Sequence, residues 1–565
     1  MQIYTDLTGE DEVLIQPVYA GEDSAYPMNE RRKRQGSITW LYGRSAEEAD
    51  VLAAGLGDRQ TVTLEQVRRA GGAAARTLLQ EGRGCGTLVR NPGRGSDGAK
   101  SVPPEEDGER SEALKDSGSY GTPDTRHIRY TPEALNTDEI QKNPQDYVTP
   151  ERAKYLESAV DPTAGQRPAV HNITGSEGVR EGEPEAAAWL QAWIEGWLHG
   201  LYRFDKYRSA TKIGGRVKLN IRSADWPELS AGELDKVITI AEQRAEAVNL
   251  TRDWVNETPG VLNPDAFVAW TVELFKDQPV QIHVYKGQEL IDRGMNGLLA
   301  VGAGSKHAPA LIELRYEALP DAPMLALVGK GITFDMGGMN AKTGADISDA
   351  RMDMGGAAAV IGALDLLVRQ RAKVRVTALI AVADNLPDAR ATLPSSVIAY
   401  PNGLTVQIAN TDGEGRLVLA DALIHAAKLG AAQAIDIATL TGNVGAALGL
   451  GIAGIWGDAD MTRELVRIGE RNGERLWPMP LMDEYEAELR SNYADLRNVG
   501  TSGMAGAIMA ALFIRRFVAE SMNWVHIDMA GTVQYKQDVE YAEAGATGYG
   551  ARLLADYACG YFRQV

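Results

Sequence analysis

The chain has 565 residues, too many for one ordinary hydrophobic core, so we expect two domains. Hydrophobic residues at 44% and charged residues at 24% are typical of a globular protein and exclude a wholly disordered or fibrous chain. The formal net charge of −19 works against sequence-independent binding to nucleic acid, whose affinity depends on Lys and Arg.

The cysteines and the N-terminal residues give no indication of export. Cys85 and Cys559 are the only cysteines, so there is no disulfide framework and no CxxC metal motif. The start, MQIYTDLTGEDEVLIQPVYAG, is acidic where a signal peptide needs a basic start and an apolar run. The most apolar stretches, 444–456 and 504–514, are too short or too rich in glycine to match the roughly 20 residues that span a bilayer. We therefore expect a cytoplasmic protein without a membrane segment.

Residues 1–228 are predicted to form an N-terminal α/β domain with a long polar insertion. Between residues 37 and 80, β-type runs (ITWLYG, TVTL) alternate with helical spacing (AEEADVLAAGL, EQVRRAGGAAARTLLQ). From 83 to 181 the composition shifts to Gly, Pro, Ser and charged residues, which cannot bury enough apolar surface to form a domain. We interpret 83–181 as an insertion that is dispensable for chemistry.

Two helices are predicted after the insertion. In AAAWLQAWIEGWLHGLYRF, a Trp or Leu recurs at every fourth position and forms one apolar stripe, which we interpret as core packing. Ser230 followed by Glu233 is a capping-box signature. It predicts a connecting helix at 230–255.

Residues 229–565 are predicted to contain a central, mostly parallel sheet flanked by helices. Short β-type runs alternate there with helical stretches: VQIHVY, GLLAVGAG, PALIELRY, MLALVGKG, KVRVTALIAVA and AAQAIDIATL. In such sheets, functional sites lie at the carboxyl ends of the strands.

Two glycine-rich loops that leave strand ends carry most of the charged residues of interest. The first, KGITFDMGGMNAK, begins at Lys330 and is followed by RMDMGGAAA with Asp353. The second, NTDGEGRL, begins at Asn410 after the run GLTVQIA. Glycine lets the backbone approach a ligand and seldom strengthens a core, so these loops predict a site.

Four carboxylates in these loops indicate a metal centre. Gathering them within about 4 Å would cost on the order of 4 kcal/mol per like-charge pair at an effective dielectric of 20. Divalent cations remove that repulsion, and two metals about 3.5–4 Å apart can lower the pKa of a bound water to near 7 for amide hydrolysis. Oxygen ligands alone do not distinguish zinc, manganese, magnesium and cobalt.

Motifs of other enzyme classes are absent or misplaced in the sequence. The seven histidines show no HExxH spacing, and there is no GxSxG or GxxxxGK[ST] motif. The run GLGIAG at 449–454 matches a dinucleotide fingerprint, but it leaves a helical segment and enters a strand, the reverse of the required order. We interpret it as close backbone packing.

The strings VGKGITFDMGG, DMGGAAAV and NTDGEGRLVLADAL resemble the leucyl aminopeptidase family of dinuclear-metal exopeptidases. RDWVNETP, GMNGLLAVGAGS, IDIATLTG and HIDMAGT extend the resemblance from residue 230 to the C-terminus, whereas it is weak before Trp189 and absent from the insertion. The resemblance implies a catalytic domain at 229–565 that releases N-terminal residues, leucine and other apolar residues preferred, from peptides. The expectation of a homohexamer rests on the resemblance alone.

Carried over by position, the resemblance implies roles for seven residues. Lys342 would stabilise the oxyanion, and Arg416 would hold a bicarbonate ion that acts as general base. A lysine ligates only as a neutral amine, which two adjacent cations favour. The implied ligands of two divalent ions per subunit, zinc or manganese with magnesium or cobalt as alternatives, are Lys330, Asp335, Asp353, Asp412 and Glu414, with Asp335 and Glu414 as bridges.

Three positions depart from the pattern of the family. Met336 stands where a small hydroxyl residue is usual, and Gly413 replaces the usual alanine. Ala350 occupies a position where the family often has a methionine in the pocket for the first side chain, so a wider pocket is expected. The predicted substrate pocket consists of Met336, Ala350, Thr439, Leu440 and Gly442.

Two rival functions stay open at this point. A dinuclear-metal phosphatase would also gather carboxylates, but the sequence offers no arginine cluster beyond Arg416 to bind a phosphoryl group. The resemblance also allows a non-catalytic or dual-role scaffold for assembly or DNA binding on the same fold. The intact ligand positions disfavour a scaffold that has lost catalysis.

Overall fold

The computed structural model describes residues 3–6, 13–22, 28–42, 49–90, 184–209, 217–344 and 346–564. Of the predicted insertion at 83–181, only residues 83–90 are among them, so the expectation for the rest lies outside the described residues. Cys85–Leu88 is a fully buried strand in a sheet, although the composition assigned these residues to the insertion. The described residues form two main sheets with helices packed on them.

The first sheet has six strands in the order β1-β6-β5-β2-β4-β3. All neighbours pair in parallel except β3, which is antiparallel to β4. The bounds are β1 Ile3–Thr5, β2 Val13–Tyr19, β3 Ile38–Leu41, β4 Val51–Gly57, β5 Cys85–Leu88 and β6 Lys218–Ile221.

Two details of the first sheet correct the sequence analysis. The run VLAAGL was expected to be helical but forms β4, because a short apolar run buried on both faces cannot be told from a buried helix by periodicity. The run TVTL was expected to be a strand. Instead, Thr63 caps the next helix, and its hydroxyl accepts a hydrogen bond from the backbone N–H of Gln66.

Helices α1 (Leu64–Gln80) and α2 (Ala186–Gly200) pack closely against each other. A Cβ at Gly196 would lie 1.8 Å from the carbonyl oxygen of Arg68, so the two backbones touch and only glycine fits there. The tryptophans of α2 lie in the buried cluster between α1, α2 and the first sheet. The prediction that this stripe is core packing is confirmed.

The connecting helix α3 (Ala231–Asn256) begins at the predicted capping box. The hydroxyl of Ser230 accepts from the N–H of Glu233, and the carboxylate of Glu233 accepts from the N–H of Ser230. Helix α3 contacts both α2 and α7 (Gly355–Arg369), so it connects helices that pack on the two sheets.

The second sheet has eight strands in the order β15-β14-β17-β13-β9-β10-β8-β7. The four central strands, β17, β13, β9 and β10, are parallel to one another, as predicted for this part of the chain. The bounds are β7 Gln281–Lys286, β8 Ala310–Glu317, β9 Met324–Asp335, β10 Arg375–Asn385, β13 Ala431–Ala438, β14 Ala453–Gly457, β15 Leu476–Pro478 and β17 Asn523–Asp528.

Short strands form two further small sheets beside the second sheet, one of three strands and one of two. The run GLTVQIA contributes a strand to the three-stranded sheet rather than to the central one. The bounds are β11 Val397–Ala399, β12 Thr405–Gln407, β16 Leu496–Arg497, β18 Gln534–Tyr535 and β19 Gly545–Ala546.

Helices cover both faces of the second sheet. Alternate residues of β9 face opposite sides of the sheet. Leu325 and Leu327 therefore share a core with α7, whereas Ala326 and Val328 share a core with α8 (Gly415–Lys428). The bounds of the remaining helices are α4 Pro264–Phe275, α5 Gln288–Arg293, α6 Asn296–Gly302, α8 Gly415–Lys428, α9 Gly442–Leu448, α10 Ala459–Asn472, α11 Gly506–Arg515 and α12 Ala551–Gln564.

One predicted strand of this part is wrong. The run GLLAVGAG forms helix α6, in which Leu298 and Val301 are three residues apart and both buried. The glycine-rich run at 449–454 joins α9 to β14 in the order that was predicted, which is not that of a dinucleotide-binding loop. Within the described ranges, no helix combines the length and the apolar character needed to cross a membrane.

Candidate metal centre

Lys330 and Asp335 both lie on the central strand β9, so the expectation that the loop begins at Lys330 is wrong. The strand continues through the run ITF, of β-branched and aromatic residues, and pairs Asp335 with Asn385 of β10. Between two paired positions, β9 advances by three residues, from Ile332 to Asp335, whereas β10 advances by two, from Ala383 to Asn385. This bulge reverses the alternation of side chains and brings Asp335 to the same face as Lys330.

The other carboxylates approach from the ends of loops beside the sheet. Asp353 follows the 3₁₀ turn Ser348–Met352, and Glu414 directly precedes α8. Carboxylate oxygens of Asp335, Asp353 and Glu414 lie within 4.8 Å of one another. Asp412 joins this group through Lys342, whose Nζ contacts both Asp412 and Asp335 Oδ2, the latter at 2.8 Å. We call these four carboxylates the carboxylate cluster.

Lys330 lies in the middle of the cluster. Its Nζ is 2.7 Å from Asp353 Oδ2, 2.8 Å from Glu414 Oε1 and 2.8 Å from the carbonyl oxygen of Thr439. Burial alone would lower the pKa of Lys330, but the neighbouring carboxylates outweigh burial and raise it. In this arrangement Lys330 is an ammonium ion, not the neutral amine that the resemblance implies for a metal ligand.

Glycine makes room for this lysine at the start of α8. A Cβ at Gly415 would lie 2.7 Å from Lys330 Cε and 2.8 Å from Leu440 Cδ1. Any other residue at 415 would therefore displace the side chain that centres the cluster. The second glycine of NTDGEGRL, Gly415, is thus explained by the space that Lys330 needs.

The charge of the cluster fits bound cations. Burial raises the pKa values of Asp353 and Glu414, and the nearby Asp335 raises both further, while Lys330 opposes these effects. Burial and Asp335 also raise the pKa of Asp412. Two lysines cannot neutralise four carboxylates, and oxygen-rich donor sets with surplus negative charge are the kind that hard divalent cations occupy.

Lys342 lies on the more open side of the cluster, with about a third of its side chain exposed. Burial would lower the pKa of Lys342, but the contacts with Asp335 and Asp412 outweigh it and raise the pKa. Lys342 therefore carries a positive charge at neutral pH and faces the same space as the carboxylates.

Arg416, the second residue of α8, is buried next to the cluster. Its Nη1 donates to the carbonyl oxygen of Asn498 at 2.8 Å, whereas its Nε has no hydrogen-bond partner among the residues that the structure describes. Burial lowers the pKa of Arg416 to about 10, so the guanidinium stays charged at neutral pH. A buried cation with an unused donor is suited to a small anion.

Asn385 is a site residue that the sequence analysis missed. Its Nδ2 donates to Asp335 Oδ1 at 2.8 Å and to the carbonyl oxygen of Thr411 at 3.0 Å, and lies 3.4 Å from Glu414 Oε2. It orients two carboxylates at once. Its position as the last residue of β10, beside β9, was the available signal, since sites lie at the carboxyl ends of parallel strands.

The predicted pocket residues divide into two groups. Thr439 donates from Oγ1 to Asp353 Oδ1 at 2.9 Å, and Leu440 packs over Gly415, so these two lie against the cluster. Met336 is half-buried next to Asp335, Ala350 is half-buried in the turn before Asp353, and Gly442 is exposed at the start of α9.

The unusual Gly413 also has a local explanation. A Cβ at this position would lie 2.9 Å from Asn498 Nδ2 and 3.0 Å from Val499 Cγ1. The loop that carries Asp412 and Glu414 is thus packed against residues 498–499 more closely than a side chain at 413 allows.

Comparisons with known proteins give matches to one family. A family model described as "Cytosol aminopeptidase family, catalytic domain" matches residues 249–555. A probable cytosol aminopeptidase of Rickettsia peacockii (strain Rustic) is 38% identical over 360 residues, 63% of this chain and 72% of the relative. One of Persephonella marina (strain DSM 14350 / EX-H1) is 38% identical over 381 residues, 67% of this chain and 75% of the relative.

Two solved structures are similar to this chain in fold. The bottromycin maturation enzyme BotP in complex with Mn has a TM-score of 0.74 at 28% identity, and the match covers 98% of this chain and 100% of BotP. A mutant of tomato leucine aminopeptidase has a TM-score of 0.72 at 24% identity, covering 99% and 96% of the two chains, and supports the fold alone.

The residues that the family model matches include every member of the carboxylate cluster and both lysines. The resemblance drawn from the glycine-rich strings is therefore confirmed, as is the mixed α/β fold with a mostly parallel central sheet. The chain belongs to the cytosol aminopeptidase family and is a metal-dependent aminopeptidase.

Proposed function

We propose that the chain removes N-terminal residues from peptides at the carboxylate cluster, which would bind two divalent cations. The proposal rests on one observation above all: three carboxylates have oxygens within 4.8 Å of one another, and two of them contact the buried Lys330. Such a group is unfavourable without cationic partners. The residues that would hold the cations are Lys330, Asp335, Asp353, Asp412 and Glu414.

Two divalent cations at this position would supply a water of lowered pKa and polarise the carbonyl of the peptide bond. Lys330 can join the ligand set only as a neutral amine, so we expect it to release its proton when cations enter. Zinc and manganese are our first candidates, with magnesium and cobalt as alternatives. The complex of BotP with Mn supports manganese as the first ion to test.

Lys342 is proposed to stabilise the oxyanion that forms when water attacks the peptide carbonyl. Its ammonium group lies at the open side of the cluster, and the carboxylates that raise its pKa keep it protonated. A fixed cation at the point where negative charge develops lowers the barrier more than it strengthens substrate binding.

Arg416 is proposed to hold a bicarbonate ion that takes the proton of the attacking water. The unused Nε and the burial of the guanidinium support this assignment. In bicarbonate-depleted buffer the rate of hydrolysis should fall, and added bicarbonate should restore it in the wild type but not in Arg416→Gln. An equal response of both proteins would contradict the assignment.

The proposed substrates are peptides with leucine or another apolar residue at the N-terminus. Met336 and Leu440 offer half-buried apolar side chains beside the cluster, and Ala350 leaves room for a larger first side chain. The first residue would lie among Met336, Ala350, Thr439, Leu440 and Gly442.

We further propose a cytoplasmic homohexamer, on family membership alone. Light scattering of the purified protein tests the assembly. A monomer at micromolar concentration would overturn this part of the proposal without affecting the assignment of the site.

The proposed function is tested by comparing three activities in one preparation. Protein dialysed against a chelator should hydrolyse leucine p-nitroanilide only after Mn²⁺ or Zn²⁺ is restored. It should not hydrolyse p-nitrophenyl phosphate, and it should not bind duplex DNA at physiological salt. Phosphate-ester hydrolysis without amide hydrolysis would favour the phosphatase alternative, and DNA binding without hydrolysis would favour the scaffold.

A further inference from the structure

Asp528, the last residue of β17, is a fully buried carboxylate that is not among the proposed metal ligands. Its Oδ2 accepts a hydrogen bond of 2.6 Å from the hydroxyl of Thr441. Its Oδ1 accepts from the backbone N–H groups of Leu440 at 3.1 Å, Ala530 at 3.2 Å and Thr441 at 3.4 Å. The Asp528 side chain thus binds the loop 439–441 through hydrogen bonds to Leu440 and Thr441. This loop follows the neighbouring strand β13.

The loop 439–441 touches two of the proposed ligands through Thr439. The carbonyl oxygen of Thr439 accepts from Lys330 Nζ at 2.8 Å, and its hydroxyl donates to Asp353 Oδ1 at 2.9 Å. The next residue, Leu440, donates its backbone N–H to Asp528. Asp528 therefore fixes the backbone within one residue of the group that contacts Lys330.

The direction of the Lys330 amine matters for metal binding. A neutral lysine amine has two N–H bonds and one lone pair, so an acceptor that holds one N–H bond limits the direction of the lone pair. Partners of this kind, one step removed from the metal, orient the ligands and strengthen metal binding.

We propose that Asp528 is a positioning residue of the metal centre, which holds the loop 439–441 so that the Thr439 carbonyl orients Lys330 Nζ toward a bound cation. The inference rests on the proposed role of Lys330 as a ligand. It predicts that loss of the Asp528 carboxylate weakens one of two cation sites, the one that contains Lys330 and Asp353.

Asp436 provides a matched control for Asp528. It is also fully buried, on the adjacent strand β13, and it accepts hydrogen bonds of 2.6 Å from Trp524 Nε1 and His526 Nδ1. Asp436→Asn removes a buried carboxylate from the same pair of strands, but the hydrogen bonds that it disturbs go to side chains of β17 instead of the loop 439–441.

The test is a titration of metal-free protein with Mn²⁺, in which electron paramagnetic resonance measures free Mn²⁺, together with the melting temperature without metal. We expect two Mn²⁺ sites per wild-type chain. Asp528→Asn should weaken one of them by about 10–100-fold, the usual effect of losing such a partner. Asp436→Asn should lower the melting temperature and leave both Mn²⁺ affinities unchanged.

Two milder variants keep the test decisive if Asp528→Asn does not fold. Thr441→Val removes the hydroxyl that Asp528 accepts from and should weaken the same Mn²⁺ site, whereas Thr441→Ser should keep the wild-type affinity. Two Mn²⁺ sites that are unaffected by Asp528→Asn, or by Thr441→Val in its place, would overturn this inference alone. A wild-type chain that binds no Mn²⁺ would overturn both this inference and the proposed ligand set.

Discussion

The Nζ of Lys330 lies 2.8 Å from Glu414 Oε1, although Lys330 belongs to the central strand β9 and Glu414 precedes helix α8. The buried ammonium of Lys330 thus links the sheet to helix α8 on one face. Through Asp353 it also links the sheet to the turn before α7 on the other face. The site and the packing of the sheet depend on the same side chain.

Replacing Lys330 by methionine should therefore cost both stability and metal binding. Without the ammonium, Asp353 and Glu414 are left as buried charges without a counter-ion, and we expect a loss of about 3–5 kcal/mol in the free energy of unfolding. Urea denaturation of metal-free protein measures it. Lys276→Met, which removes an exposed lysine paired with Glu273, should cost far less. Equal losses in the two variants would contradict the account.

Lys342→Ala should separate chemistry from metal binding. The variant lacks the proposed oxyanion contact but keeps all five proposed ligands, so kcat should fall by roughly 10²–10³-fold while bound metal stays at the wild-type level. Steady-state kinetics and metal analysis of the same sample measure both quantities. If the variant loses its metal, then Lys342 has been assigned the wrong role.

Sequence patterns indicated the proposed ligands because these residues lie in three short, glycine-rich strings. They gave no role to Asn385, which stands at the end of β10 outside the quoted strings, or to Asp528, which stands at the end of β17 within HIDMAGT. Their contacts depend on which strands are neighbours. Nor did the strings reveal that β9 extends to Asp335, because a bulge depends on pairing with the adjacent strand.

The fold was predictable where periodicity was clear and not where the apolar runs were short. The helix with the tryptophan stripe and the capping box at Ser230 were both correct. The runs VLAAGL and GLLAVGAG are similar in composition, yet one is strand β4 and the other lies in helix α6. Their tertiary surroundings decide between the two structures.

Glu313 should make stability depend on pH in the acid range. Burial would raise the pKa of Glu313, but the hydrogen bond from His425 at 2.6 Å and the charge of Arg315 outweigh burial and lower the pKa to about 2. Because the pKa of an unfolded Glu is about 4.3, this residue adds stability above that pH, and the contribution is lost as the pH falls toward the folded value.

The measurement is the difference in melting temperature between wild type and Glu313→Gln as a function of pH. The difference should be largest at pH 5 and above, and it should narrow between about pH 4 and pH 2. The exposed Glu273→Gln should show a small difference. A difference in melting temperature between wild type and Glu313→Gln that stays constant from about pH 4 to pH 2 would contradict the lowered pKa of Glu313.

Among the carboxylates that lie away from the site, Glu195 should cost the most free energy of unfolding when it is neutralised. It is fully buried on α2 and accepts from Arg244 Nε at 2.6 Å, Arg552 Nη1 at 2.8 Å and Arg68 Nε at 3.0 Å. Glu195→Gln leaves three buried arginines short of a counter-ion, so we expect a loss of about 3–5 kcal/mol. Urea denaturation measures it, and a loss no larger than that of the exposed Glu246→Gln would contradict the prediction.

The central claim, that the carboxylate cluster binds the cations which this aminopeptidase requires, is tested most directly through Asp335. Metal content and leucine p-nitroanilide hydrolysis should be measured on wild type and Asp335→Ala after dialysis against a chelator and restoration of Mn²⁺. We predict that wild type regains two Mn²⁺ per chain and its activity, whereas Asp335→Ala binds less metal and stays inactive. Wild-type activity in Asp335→Ala, or activity that persists in the chelator, would contradict the claim.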